Sequence, residues 1–306
     1  MRDLMTSFPA EFTQTLNLDR FCADLSRLSK VCVSMNAALQ YVESAAKEYV
    51  LQIEEVIEQA DYLYGSGETE KLYHLLVKYR DSDNAEFLWR LARASRDLAL
   101  LSSTSAEDRK RLMYEAFDYS RNALEKNESS SAAHKWYAIC ISDIGDYEGT
   151  KIKIGNAYVV KEHLQRAIEL NPKDATAIHV LGLWCFAFAE LPWYQRKIAA
   201  MLFASPPSST YEEALGYFLK AEEVDANFYS KNLLMLGKSY MMLKDQKSSL
   251  LWLSKAKDYP AHTEEDKQVS RSEYNQLFKK WINRQVVEAM NVCKHPKLQM
   301  VPYWNC

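Results

Sequence analysis

Apolar side chains return every three or four residues from about Leu18 to Tyr64: Phe21, Leu25, Leu28, Cys32, Met35, Leu39, Val42 and Ala46 keep that spacing over many turns. This is the period of one face of a helix. The heptad there is not clean, so the spacing gives a long helix rather than a self-associating coiled coil. Gly65-Ser66-Gly67 interrupts it. Leu72, Leu75, Leu76 and Tyr79 predict a further helix over 68–80, and Asp81-Ser-Asp-Asn84 supplies a cap for the next helix. Capping boxes at Thr104 with Glu107, Thr210 with Glu213, and Thr263 with Asp266 mark three more helix starts.

From residue 85 onward the helical pattern becomes a repeat. Ala123, Ala167 and Ala221 precede the small residues Ala138, Gly182 and Gly237 by 15, 15 and 16 positions. The last copy reads Leu233, Leu236, Gly237 and Tyr240 on one helix, then Ser249, Leu253 and Ala256 on the next, with Pro260 after them. That order is the tetratricopeptide pattern of paired helices, A and B. Small residues let the paired helices approach, and large ones fill the space between neighbours. The first copy runs Leu88, Leu91, Ala92, Ser95, then Ala116, Ser120, Ala123. The second runs His134, Tyr137, Ala138, Ile141, then Val160, Leu164, Ala167. The third runs Ile178, Leu181, Gly182, Cys185, then Ala214, Phe218, Ala221. From the small residue of helix A to the first position of helix B is 12 residues in the last copy and 24, 22 and 32 in the others. Shared between two antiparallel helices, such an excess lengthens each by about 8–9 Å and raises a wall along one edge.

The fold expected is therefore all-α: a tetratricopeptide-like right-handed solenoid with lengthened hairpins, a long N-terminal helix and a C-terminal capping helix. Its divisions are 1–17 flexible, 18–64 helical, 68–262 repeats, 263–284 the capping helix, and 285–306 a loose tail. Eight Gly and 8 Pro in 306 residues fit few turns. The six Cys form no CxxC pair, and Cys140 and Cys185 fall on helix A faces, which favours buried free thiols. The net charge of −3 is divided unevenly, with 9 basic and 15 acidic residues up to position 90 and 29 and 26 after it. That polarity is too weak to argue for nucleic acid. No apolar run reaches the length of a transmembrane helix, and the start has no secretory signal pattern.

Catalytic motifs are absent, so no enzyme, cofactor or metal is expected. The six His are scattered, and His134 and His179 fit packing better than ligation. Asp143, Asp146 and Glu148 beside Gly145 and Gly149 lack the ligand order of a calcium loop and read as a solvated loop. Two surfaces invite partners. The inward positions of the A helices are Trp89, Arg93 and Arg96; Lys135, Ile139 and Ser142; His179, Leu183 and Phe186; Leu234, Lys238 and Met241. This set is apolar with four cations and no acid, suited to an acidic extended peptide or an anionic head group. The third insertion breaks at Pro192 and continues an apolar stripe through Trp193, Ile198, Met201, Leu202 and Phe203. It fits packing on neighbouring helices, a partner site or a lipid-like ligand.

Several strings are more specific than the repeat: Phe87-Leu-Trp-Arg-Leu-Ala-Arg-Ala94, His134-Lys-Trp-Tyr-Ala138, Ile168-Glu-Leu-Asn-Pro-Lys-Asp174, Leu191-Pro-Trp-Tyr-Gln-Arg196 and Phe203-Ala-Ser-Pro-Pro-Ser-Ser209. Together they resemble the regulator of microtubule dynamics family over roughly residues 53–280. The resemblance implies a non-enzymatic protein of the cytoplasm and cytoskeleton that associates with microtubules, tubulin, the spindle and its poles. Some relatives are tied to mitochondria or membrane contact sites, and a relative's repeats bind phospholipid. Membrane-resident relatives carry an N-terminal apolar span, and none is expected here. Two functions follow as expectations. One is a microtubule adaptor whose Arg93, Arg96, Lys135 and Lys238 meet acidic tubulin surface. The other is a lipid-binding or organelle-contact module built on residues 183–203.

Overall fold

The structure, a computed structural model, describes residues 35–203 and 206–260. All regular structure among them is helical. The chain divides into two compact units, with the boundary between Pro172 and Lys173.

In the first unit, α1 (Met35–Gly65) and the short α2 (Thr69–Leu76), which tightens into one 3-10 turn at Val77–Tyr79, precede two hairpins. The first hairpin pairs α3 (Ala85–Leu100) with α4 (Ala106–Lys126), and the second pairs α5 (Ser131–Glu148) with α6 (Thr150–Leu170). Ala60 of α1, Leu72 and Leu76 of α2, and Phe87, Leu91 and Ala94 of α3 share one core. The expected caps form with one shift. The Asn84 side chain accepts from the Glu86 N–H, whereas Ser105, not Thr104, caps α4 by accepting from the Asp108 N–H. Thr104 turns back and donates its hydroxyl to the Leu98 carbonyl at 2.6 Å. Asp143, Asp146 and Glu148 lie in the last turns of α5 instead of a loop, because Gly149 alone, at φ +91°, joins α5 to α6.

In the second unit, α7 (Ala175–Glu190) pairs with α9 (Tyr211–Val224), and α10 (Ser230–Met242) pairs with α11 (Gln246–Lys257). The Thr210 cap is as expected, accepting from the Glu213 N–H at 3.2 Å. Both glycines of the repeat are close-approach sites. A Cβ on Gly182 would lie 2.7 Å from the Phe218 ring, and one on Gly237 would lie 2.6 Å from Leu253 Cγ. The large residue of helix B thus occupies the space where helix A lacks a side chain. Ser249 adds a hydroxyl bond to the Gly237 carbonyl at 2.8 Å.

The extra residues go to two different ends. In the first two hairpins they lengthen helix B most: α4 and α6 have 21 residues each against 12 in α11. The A helices α3 and α5 reach 16 and 18 against 13 in α10. Growth is therefore unequal rather than shared. In the third hairpin the excess forms a separate helix, α8 (Trp193–Leu202), bent 97° from α7. Pro192 stands at the bend, since it cannot continue the ladder of α7 but suits the start of α8. The Thr263 cap, the 263–284 helix and residues before 35 lie outside the described residues.

Candidate partner-binding site

The inward positions divide between the two units. In the first, Trp89, Arg93 and Arg96 lie along α3, with Lys135 and Ile139 half-buried on α5. Carboxylates from α1, from α5 and from α3 itself reach this row. Asp61 of α1 takes two bonds from Arg90, at 2.9 and 2.7 Å, and Glu86 takes a third at 2.6 Å. Trp89 donates its indole N–H to the same Glu86 at 2.9 Å. Arg93 packs its guanidinium 3.5 Å over the Tyr64 ring and reaches Asp61 only at 3.4 Å. Its side chain is 10% exposed, so burial lowers its pKa while Tyr64, Asp97 and Asp61 oppose the fall. Arg96 donates to Asp143 at 2.6 Å across to α5.

The row is therefore not acid-free. Arg90, Arg93 and Arg96 join α1, α3 and α5, while Asp61 is held below the usual carboxylate range by its bonds from Arg90. Spacing along the A helices could not show this, because Asp61 and Tyr64 belong to α1 and Asp143 sits one position past the inward set. Position 90, next to Trp89, also carries more of the bonding than either inward arginine.

In the second unit the outcome is mixed. His179, only 1% exposed, belongs to the core, where its Nδ1 lies 2.9 Å from Asn232 Oδ1 and its ring packs near Phe218 and Tyr229. Leu234 is fully buried as well. Leu183 and Lys238 are half-buried, and the Lys238 ammonium sits 5.0 Å over the buried Phe186 ring. That pairing of a cation with an aromatic face leaves an apolar-basic spot on α7 and α10.

The 183–203 segment behaves as two parts. Trp184, Cys185, Phe186 and Ala189 are packed inside α7, whereas Trp193, Tyr194 and Met201 of α8 face solvent. Phe203 is half-buried at the end of α8. The side chains of Ile198 and Leu202 lie outside the described residues.

The Cys140 thiol is not poised for chemistry: burial pushes it up to about 12. His134 is bound on both nitrogens. Its Nε2 donates to the Glu128 carbonyl at 2.9 Å, and its Nδ1 lies 2.8 Å from His163 Nδ1. Burial, with His134 beside it, lowers the His163 pKa. A histidine held neutral in the fold makes stability fall as pH drops below its unfolded value of 6.5, and the loss levels off once the folded form also protonates. Thermal unfolding followed from pH 7.5 to 5 should show this drop, and His163→Phe should flatten it.

A family model described as regulator of microtubule dynamics protein 1-3 matches residues 56–282. The chain is 68% identical over 238 residues to regulator of microtubule dynamics protein 1 of Bos taurus, covering 78% of this chain and 74% of that one. It is 35% identical over 218 residues to regulator of microtubule dynamics protein 3 of Xenopus laevis, covering 70% of this chain and 47% of that one. Among solved structures, a thermophilic TPR protein of Thermus thermophilus is similar in fold, with a TM-score of 0.52 at 15% identity over 73% of this chain and 97% of that chain.

Proposed function

The chain belongs to the regulator of microtubule dynamics family, and from that premise we propose that it is a non-enzymatic adaptor that binds tubulin or microtubules through apolar-basic faces of its repeats. The observation that carries the reading is the Lys238 ammonium over Phe186 beside half-buried Leu183, with Lys135 and Ile139 as the corresponding pair in the first unit. Each combines a positive charge with apolar contact area, which suits an acidic, partly extended partner segment. The names of the relatives place them in microtubule dynamics. Such a protein works at the cytoskeleton, the spindle included.

The arginines have a different role. Arg93 and Arg96 hold α1, α3 and α5 together, so reversing them would disturb the fold and the binding at once. The informative variant is Lys135→Glu with Lys238→Glu. Co-sedimentation with polymerised tubulin should weaken about tenfold, as two lost attractions become repulsions near the surface. Unchanged binding in a variant that melts like the parent would remove these lysines from the site.

A further inference from the structure

Two histidines that stand 29 residues apart in the chain meet across the second hairpin. His134 lies in the first turn of α5 and His163 in the C-terminal half of α6. Their ring centroids are 4.9 Å apart at an interplanar angle of 35°, and their Nδ1 atoms face each other at 2.8 Å. Both rings are positioned by groups outside the pair. The bond from His134 Nε2 to the Glu128 carbonyl, in the turn before α5, fixes the tautomer that leaves a lone pair on Nδ1. Tyr137, one turn further along α5, packs its ring centroid 4.7 Å from that of His163. His163 is half-buried, so the pair lies at the rim of the hairpin rather than deep in its core. The exposed Glu162 beside it adds negative charge.

We propose that the two Nδ1 atoms form a chelating site for a late first-row divalent transition-metal ion: Ni(II), Cu(II) or Zn(II). Imidazole nitrogen is a preferred donor for these ions and a poor one for Mg(II) and Ca(II). At bond lengths of about 2.0–2.1 Å, nitrogens separated as these are subtend an angle of about 84–89° at the ion. That is the angle between neighbouring positions of an octahedral or square-planar shell, which suits Ni(II) and Cu(II). Tetrahedral Zn(II) needs nitrogens about 3.3 Å apart, an opening of about half an ångström. The bond from His134 to the Glu128 carbonyl is the kind of support that ligating histidines use, with the second ring nitrogen donating to a carbonyl. No group of three His, Cys, Asp or Glu that could hold a metal occurs among the described residues, so water fills the remaining positions. On binding, the ion takes the place of a proton between the two nitrogens, and the His163 ring carries its proton on Nε2. Burial favours the neutral His163 ring, which keeps its lone pair available. The ion ties α5 to α6. The proposal uses none of the residues assigned to tubulin contact, so either can fail without the other.

Calorimetric titration of the untagged full chain with Ni(II) near neutral pH tests it. The parent should bind one equivalent that His134→Gln and His163→Gln each weaken about tenfold or more, because each variant leaves one nitrogen of the two. Mg(II) should give no such equivalent. A second measurement needs no variant. In long-range proton–nitrogen spectra of the parent, excess Zn(II), which is diamagnetic, should move the Nδ1 signals of His134 and His163. The signals of His179, buried against Asn232, should stay in place. Equal stoichiometry and affinity in the parent and both folded variants would overturn the proposal. So would Nδ1 signals of this pair that do not move in excess Zn(II), and the two histidines would then be a hydrogen-bonded clasp and nothing more.

Discussion

Replacing Phe218 by alanine is expected to remove about 3–5 kcal/mol of stability. The ring is fully buried, and it fills the space left where Gly182 has no side chain. Without it, α7 and α9 face a cavity that neither can close, since both also pack on α10. The same geometry makes Gly182→Ala costly. Its new Cβ would meet two ring atoms at 2.7 and 2.8 Å. Overpacking of this kind costs about 1–3 kcal/mol, offset in part by alanine's better helix propensity, worth about 1 kcal/mol. The two sites should therefore couple. In a Phe218→Leu background the Gly182→Ala penalty should shrink, giving a coupling of about 1 kcal/mol or more in urea unfolding. Strictly additive penalties would mean that the ring does not occupy the glycine's space.

Arg90→Ala should cost about 2 kcal/mol. The guanidinium is 10% exposed and makes three carboxylate bonds, two to Asp61 and one to Glu86. Both acids remain near half exposed, which keeps the loss below that of a fully buried pair. Arg90→Lys should not restore it, because an ammonium cannot span both oxygens of Asp61. The variant should also change the acid limb of the stability curve. Asp61 titrates below its ordinary 3.8 in the fold, so its contribution is complete above that value and is lost as pH falls through the lower folded one. Thermal melts at neutral pH and below pH 4 should show the gap between parent and variant narrowing in acid.

The repeat was legible in the sequence because its rule is steric. The small residues Ala92, Ala138, Gly182 and Gly237 are all buried in helix A, as their spacing requires. The length of each insertion was legible too, but its shape was not. Whether added residues extend a helix or form a new one depends on a single break: Gly149 closes the second hairpin, whereas Pro192 starts α8 in the third. The site was less legible, for a reason of distance along the chain. Inward positions counted along helix A identify Arg93 and Arg96 as cations but cannot show that Asp61 is 29 residues before Arg90 and bonded to it. His179 likewise carries an inward position number and yet bonds Asn232 in the core. Trp193, Tyr194 and Met201 of α8, which face solvent, have no counterpart in the repeat rule.

The most direct test of the account is the salt dependence of co-sedimentation between the parent chain and polymerised tubulin. Lysines beside apolar residues meeting an acidic partner predict saturable binding at low ionic strength that falls steeply as the Debye length shortens towards about 8 Å at physiological salt. Binding that does not change with salt, or no binding at low salt by a folded chain, would contradict it.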